Sequence, residues 1–249
     1  MIHSFLLIGQ SNMAGRGFLE EAENIDTSRI KIMRNGRWQD MFRPINPDRY
    51  FSGVNLAESF ALEYAKKYDV DVGLICCADG GTALNQWMPG EILFENAVNH
   101  ARLAMRTSNL VGILWHQGET DCSPQLCSTY LSRFDVFIKA LRKELNLPDA
   151  PFLLGGLGDF LADCPLDENL KNYAQLNDVL KTIAKTIPHT GFVSAEGLSA
   201  NPDNLHFNAK SLYNFGIRYF DEFEKLNTSP VIPVQSYSED ITRTQMEKL

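Results

Sequence analysis

The chain has 249 residues, of which 44% are hydrophobic and 10% aromatic, enough to bury the core of one α/β domain. Its formal net charge of −8 and pI near 5.2, with no run of lysine and arginine, argue against a surface adapted to nucleic acid or to anionic membranes. No segment has the length of a membrane helix, and the first apolar run, residues 5–8, predicts a strand rather than a signal peptide.

Short apolar runs and segments with helical spacing alternate along the chain. The runs predict buried strands at 3–8, 70–77, 110–115, 151–156 and 191–194. The helical segments centre on 56–64, 93–101, 126–141, 173–187 and 209–226. This pattern predicts an α/β fold, a three-layer α/β/α sandwich with a central parallel sheet of about five strands. We expect one domain over 1–227 and a C-terminal tail over 228–249.

The five cysteines bear on the cellular compartment. Their number is odd and their spacing is unlike that of a zinc ribbon, which favours reduced thiols. We therefore expect a cytoplasmic protein, with a secreted precursor trimmed before Met1 as the open alternative.

Polar sequences follow three of the predicted strands and precede the last helix. They are residues 9–12 (GQSN), 78–82 (ADGGT), 116–121 (HQGETD) and 203–206 (DNLH). Because ligands bind at the carboxyl ends of strands in open parallel sheets, we expect these segments to converge on one edge.

Ser11 stands at the first of these strand ends, where it is either a turn or cap residue or a nucleophile. A serine needs a base to attack a carbonyl group. Asp203 and His206 are spaced so that the carboxylate can hold the imidazole Nδ1–H and leave Nε2 to accept the serine proton.

An oxyanion needs donors that approach closely. Gly81 can offer its backbone N–H, and Gln117 can offer its side-chain amide. The alternatives are a tight turn at Gly81 and a buried amide that satisfies loop carbonyls at Gln117.

The segments GQSNMAGRG, GGTALNQW, WHQGETD and DNLHF, in this order, resemble the SGNH (GDSL-like) hydrolases. The closer resemblance is to the sialate O-acetylesterase and acetylxylan esterase branch, carbohydrate esterase family six. The four segments span most of the predicted domain, residues 9–207.

The resemblance implies a flavodoxin-like fold and a serine esterase that removes acetyl groups from sugar hydroxyls without a cofactor. It implies Ser11 as nucleophile, His206 as base and Asp203 as the acid that orients His206. The oxyanion hole would comprise the N–H groups of Ser11 and Gly81 and the amide of Gln117. The wider superfamily has asparagine in the third segment where this chain has Gln117. We expect the nearby Glu119 to support the site or to share the acid role.

Two further residues are candidates for substrate contact. Trp87 can stack on a sugar ring, with packing as the alternative, whereas Trp115 ends a buried strand and is expected in the core. Arg16 can hold the carboxylate of an acidic sugar, or is simply solvated.

Three alternatives stay open at this stage. A metal-dependent hydrolase could use His116, Glu119 and Asp121, but it leaves the GQSN segment unexplained. A non-catalytic carbohydrate-binding protein would not need Ser, His and Asp together with oxyanion donors. A cysteine nucleophile at 76 or 77 is disfavoured because both cysteines continue an apolar strand. We expect no metal and no cofactor, and an acetylated carbohydrate as the partner.

Overall fold

A seven-stranded sheet forms the centre of the computed structural model, which describes residues 1–226. The strands, β1 to β7 in chain order, are Ile2–Gly9, Ile30–Arg34, Arg37–Asp40, Val72–Cys76, Ser108–His116, Phe152–Gly155 and Thr190–Val193. The helices, α1 to α6, are Ser11–Ala14, Leu56–Tyr68, Ile92–Ala104, Pro124–Leu145, Tyr173–Thr186 and Ala209–Leu226. The predicted tail, 228–249, lies outside the described residues.

The strands lie in the order β3-β2-β4-β1-β5-β6-β7, and all neighbours are parallel except β2 and β3. Without β2 and β3, the order β4-β1-β5-β6-β7 is the 2-1-3-4-5 order of flavodoxin-like folds. The predicted three-layer α/β/α class is therefore confirmed.

The sheet has two strands more than the approximately five that the sequence predicts. The addition is the β2–β3 hairpin, which closes at Asn35 and Gly36, both with positive φ (51° and 75°). An Asn-Gly pair with positive φ at both positions is typical of a two-residue hairpin turn. The signal was therefore present in the sequence. In the sheet, β2 pairs in parallel with β4, and β3 forms the antiparallel edge.

Side chains of β1 alternate between two apolar cores, one on each face of the sheet. Phe5 and Leu7 pack with α2 and α6, whereas Leu6 and Ile8 pack with α3, α4 and α5. This alternation is the period-two geometry of a strand that is buried on both sides. None of the helices within 1–226 is long and apolar enough to cross a membrane.

The strand order places one crevice at the carboxyl end of β1. The chain leaves β1 toward β2, on one side of the sheet, and leaves the neighbouring β5 toward β6, on the other side. Loops that follow such a pair of strands separate and leave room for a ligand. The segments after β1, β4 and β5 are 9–12, 78–82 and 116–121, so the fold brings the predicted segments together.

Candidate active site

Ser11, His206 and Asp203 form a hydrogen-bonded chain at this crevice. The Nε2 atom of His206 lies 2.9 Å from Oγ of Ser11, and its Nδ1 atom lies 2.7 Å from Oδ2 of Asp203. Ser11 is 6% exposed, and the imidazole of His206 is partly exposed. This arrangement can move a proton from the serine hydroxyl to the imidazole.

Ser11 owes its position to the abrupt end of β1. Gly9 has φ of +130°, and a Cβ atom there would lie 2.1 Å from the carbonyl oxygen of His116 on β5. The Gln10 N–H then donates to that carbonyl at 2.8 Å, and the single turn α1 starts at the next residue. Glycine is therefore required at position 9, because any side chain would separate β1 from β5.

Asp203 is held by the backbone of the segment that carries His206. Its Oδ1 accepts the N–H groups of Leu205 and His206, at 2.9 and 3.0 Å, which leaves Oδ2 for the imidazole. Burial alone raises the pKa of this carboxyl group, but the backbone N–H groups outweigh it and the pKa lies below its usual value. Asp203 is thus ionised at neutral pH.

Asn12 ties both flanks of His206 to the nucleophile turn. Its amide nitrogen donates to the Leu205 carbonyl at 3.2 Å, and its amide oxygen accepts the Phe207 N–H at 3.1 Å. The same nitrogen donates to Oε1 of Glu119 at 2.6 Å. Glu119 therefore reaches the His206 segment through Asn12.

The buried carboxylate of Glu119 also faces His116. Nε2 of His116 lies 3.4 Å from its Oε1, and the His116 ring is fully buried between Phe207 and Phe215. Burial raises the pKa of Glu119, but the nearby His116 ring and the hydrogen bond from Asn12 outweigh it and give a net pKa below its usual value. The carboxylate is therefore an acceptor for Asn12.

Two of the three predicted oxyanion donors face the crevice. Ser11 and Gly81 both line it. Gly81 has φ of +78°, and no heavy atom lies within 4 Å of the position a Cβ would take. Within 1–226, neither backbone N–H has a hydrogen-bond acceptor. Both donors are thus free for a ligand oxygen.

The structure does not bring Gln117 to the crevice. Its side chain is fully buried, and Nε2 donates to Oδ2 of Asp121 at 2.7 Å and to the Thr82 carbonyl at 3.1 Å. Its amide oxygen accepts the Tyr130 hydroxyl at 2.8 Å. With both amide hydrogens used inside the protein, the geometry does not support the predicted oxyanion role. The buried-amide alternative fits better.

Trp87 is a core residue, so the predicted substrate contact is wrong. Its side chain is fully buried, its indole N–H donates to Oγ1 of Thr82 at 3.1 Å, and its ring packs edge-on against Trp115. Trp115 is also fully buried, as predicted. The glycine-rich segment suggested an exposed side chain, but burying the large apolar indole is favourable and the ring packs in the core.

Arg16 lines the crevice but is already paired. Its guanidinium forms a two-pronged ion pair with Asp48, at 2.9 and 2.7 Å, and both side chains are 4% exposed. Burial raises the pKa of Asp48, yet hydrogen bonds from Arg16 and Ser52 outweigh it and lower the pKa. Arg16 therefore presents a neutralised pair rather than a free cation.

The crevice has a volume of about 400 Å³, within the range of small-molecule sites. One of its walls comes from the loop between β3 and α2, which supplies Arg49 and Phe51. Sequence reasoning missed this loop. The signal available was the Tyr50-Phe51 pair of adjacent aromatic residues inside a run of Pro, Asp, Ser and Gly.

The residues that a metal site or a cysteine nucleophile would use are not arranged for either role. Within 1–226, no group of three or more His, Cys, Asp or Glu side chains is arranged to hold a metal ion. Asp121 instead pairs with Arg133 at 2.9 Å. Burial raises the pKa of Cys77 to about 12 and also raises the pKa of Cys76, so both thiols are protonated at neutral pH.

Comparison with known proteins identifies relatives over nearly all of the described residues. Residues 1–225 match the model of a family described as "Carbohydrate esterase, sialic acid-specific acetylesterase". A probable carbohydrate esterase of Arabidopsis thaliana is 28% identical over 242 residues, which is 86% of each chain.

Solved structures show the same fold. The crystal structure of that Arabidopsis protein superposes with a TM-score of 0.77 and 24% identity, over 90% of this chain and 98% of the other. A carbohydrate acetylesterase from Xanthomonas citri gives a TM-score of 0.68 and 20% identity, over 92% of this chain and 57% of the other.

Proposed function

Because the chain belongs to the carbohydrate esterase family of sialic acid-specific acetylesterases, whose members hydrolyse ester bonds, we propose that it removes O-acetyl groups from sugars by a serine mechanism. The observation that carries this proposal is the hydrogen-bonded chain of Ser11, His206 and Asp203 at the crevice. The substrates are esters of the acetylxylan or O-acetyl sialic acid type.

In the first half-reaction, Oγ of Ser11 attacks the acetyl carbonyl carbon while Nε2 of His206 takes the serine proton. Asp203 holds the imidazole tautomer and stabilises the imidazolium. The N–H groups of Ser11 and Gly81 stabilise the oxyanion. The intermediate collapses, the bond to the sugar oxygen breaks, and that oxygen takes the proton from His206. The products are a free sugar hydroxyl and acetyl-Ser11.

In the second half-reaction, water replaces the sugar. Nε2 of His206 takes a proton from the water as its oxygen attacks the acetyl carbonyl. Collapse of this second intermediate breaks the bond to Oγ of Ser11, which recovers the proton, and acetate leaves. Every proton transfer in the cycle is thus made by His206, and no cofactor takes part.

Glu119 acts in this scheme as a positioning residue. Its contact with Asn12 fixes the two backbone groups that flank His206, and its carboxylate accepts from no atom of the imidazole of His206. Asp203, which contacts Nδ1 directly, is the acid of the triad.

Acetate release tests the proposal. The purified chain is assayed with acetylated xylan oligosaccharides, O-acetyl sialic acids and simple esters of acetate and octanoate. We expect hydrolysis of acetylated sugars and a preference for acetate over octanoate, because an oxyanion site built from short loops suits an acetyl group better than a longer acyl chain. EDTA should have little effect. A strong preference for octanoate, or loss of activity with EDTA that a divalent metal restores, would contradict the proposal.

A further inference from the structure

Two adjacent aromatic side chains stand exposed on the loop between β3 and α2. Tyr50 is 99% exposed, and Phe51, which lines the crevice, is 52% exposed. Their ring centroids are 4.9 Å apart, nearly perpendicular. Single exposed aromatics are common, but Phe51 lines the same crevice as the nucleophile, and the Tyr50 ring packs against Phe51 rather than into a core. A ligand at the site would meet the Phe51 ring, with Tyr50 packed against it.

The loop that carries these rings is fixed before any ligand arrives. Asp48 accepts from Arg16, from the Gly80 N–H at 2.9 Å and from the Ser52 hydroxyl at 2.8 Å. The guanidinium of Arg16 lies 5.1 Å from the centroid of the Phe51 ring. The contacts of Asp48 and Arg16 therefore hold the loop against the turn at Gly80 and against the nucleophile segment. A ligand can bind to the two rings with little reordering of the loop.

The lining of the crevice combines apolar and hydrogen-bonding groups. Leu166, which is 68% exposed, and Leu205 add apolar surface to that of Phe51. Arg49, which donates to Asp79 at 2.8 Å, and Thr120 add polar groups. A pyranose ring has the matching chemistry, because its C–H faces are apolar and its hydroxyl groups lie around its edge.

The charge around the crevice is negative. Two arginines, each already paired, are outnumbered by five carboxylates: the residues concerned are Arg16, Arg49, Asp48, Asp79, Glu119, Asp167 and Asp203. A carboxylate on a ligand would be repelled here, whereas a neutral ring would not. The formal net charge of −8 for the whole chain acts in the same direction.

We infer that Tyr50 and Phe51 form the leaving-group subsite, where a neutral pyranose ring stacks while its acetyl group reaches Ser11. The inference rests on the proposed function and selects, from its two types of substrate, the neutral acetylxylan type over the acidic sialic acid type. Arg49, held by Asp79 of the segment after β4, then hydrogen-bonds the ring hydroxyls from the same loop as Phe51.

Three matched acetate esters test this subsite: ethyl acetate, a mono-acetylated methyl glucoside, and the methyl glucuronoside acetylated at the same hydroxyl. We expect kcat/KM for the glucoside to exceed that for ethyl acetate about tenfold. Tyr50→Ala and Phe51→Ala should each lower the ratio of these two kcat/KM values about threefold to tenfold, mainly through KM for the glucoside. A change of this size corresponds to the loss of one aromatic stacking contact. The glucuronoside should react about fivefold more slowly than the glucoside.

Phe42→Ala is the matched control, because Phe42 is 45% exposed on the same loop but its ring lies against Arg34, whereas the Tyr50 ring packs against Phe51. It should leave the ratio unchanged. Phe51→Leu, which keeps apolar bulk against Arg16, should fall between the wild type and Phe51→Ala. Thermal unfolding of each variant verifies that it folds.

The outcomes separate this inference from the proposed function. A ratio that neither Tyr50→Ala nor Phe51→Ala changes, or a glucuronoside faster than the glucoside, would overturn the subsite alone. Hydrolysis of ethyl acetate that survives Ser11→Ala would instead overturn the proposed serine mechanism.

Discussion

Asp203 and Glu119 are both carboxylates near His206, but they contact different atoms. Asp203 contacts Nδ1 of the imidazole, and Glu119 contacts the amide of Asn12. The first contact selects the tautomer that leaves Nε2 free to accept a proton, and the second fixes the backbone around the ring. Loss of each carboxylate should therefore have a different kinetic effect.

Asp203→Asn should lower kcat about a hundredfold to ten-thousandfold with a much smaller change in KM, because the amide no longer selects the reactive tautomer. Glu119→Gln should cost about tenfold or less, since a glutamine oxygen can still accept from Asn12. Steady-state kinetics with an aryl acetate compares the two variants. If Glu119→Gln proves the more damaging and Asp203→Asn is nearly silent, the acid role belongs to Glu119.

On the acid side, the pH profile of kcat/KM should follow the uptake of a single proton. The pKa of Asp203 lies below its usual value, so this carboxylate keeps its charge as the pH falls toward 5. The acid limb should then reflect the catalytic base alone, because general base catalysis requires its unprotonated form. We expect log(kcat/KM) to fall with a slope of one and to recover when the pH is restored. A slope of two above pH 5 would mean that a second essential group titrates.

At single positions, motifs in loops were predictable and contacts inside the core were not. The GQSN and DNLH segments indicated Ser11, Asp203 and His206 because these residue types form a triad only in combination. Gln117 and Trp87 were misjudged because both lie in polar, glycine-rich segments, yet their side chains turn inward to Asp121 and Thr82. Their direction depends on partners distant in sequence.

Among the structural elements, the loop between β3 and α2 supplies one wall of the crevice. Its Asp48 joins the nucleophile segment, the turn after β4 and the loop itself through Arg16, Gly80 and Ser52. The side chains of Arg16 and Asp48 are each 4% exposed. Removing one partner of such a pair is costly, because the charge of the other stays buried without a partner.

Asp48→Ala should lower the free energy of unfolding by about 3–5 kcal/mol at pH 7, because it strands the charge of Arg16. The pKa of Asp48 is depressed in the folded state, so its stabilisation is full above the unfolded pKa of about 3.9 and is lost as the pH falls through the folded value. Urea unfolding should show the gap between variant and wild type shrinking below about pH 4.

Asp40→Ala provides the comparison for that experiment. Asp40 pairs with Lys31 at 2.5 Å, but its side chain is 88% exposed. Its loss should cost about 1 kcal/mol or less. Equal losses in Asp48→Ala and Asp40→Ala would show that the buried pair does not anchor the loop.

Elements with strong periodicity were predictable from the sequence, and irregular ones were not. Helix α6 was predicted over 209–226 and is observed at Ala209–Leu226, because its apolar face repeats at helical spacing. The β2–β3 hairpin was missed, although Asn35-Gly36 marks its turn, because charged and polar residues interrupt both strands (IKIMR and RWQD) and neither forms a continuous apolar run. The loop from 41 to 55 has no periodicity, so its tertiary contacts determine its path.

At the scale of the whole molecule, the strand order decides which loops meet. β1 lies between β4 and β5, so the segments after these three strands share one edge, and the loop before α6 adds His206 and Asp203. The alternation of strands and helices predicted this convergence. The extent of the crevice was not predictable, because Arg49 and Phe51 come from a connection outside the strand ends.

A chain that ends at residue 227 should fold and keep its esterase activity. Every proposed site residue lies within 1–226, and the family match ends at residue 225. The truncated and full chains are compared by thermal unfolding and by kcat/KM on an aryl acetate. A truncated chain that does not fold, or that loses most of its activity, would show that residues 228–249 belong to the domain.

Ser11→Ala tests the central claim most directly, because it removes the nucleophile and leaves His206, Asp203 and the fold in place. The measurement is kcat/KM on an aryl acetate, with far-UV circular dichroism and thermal unfolding as proof of structure. The serine mechanism predicts a loss of at least about a thousandfold with unchanged folding. Near-normal turnover by a correctly folded Ser11→Ala variant would contradict it.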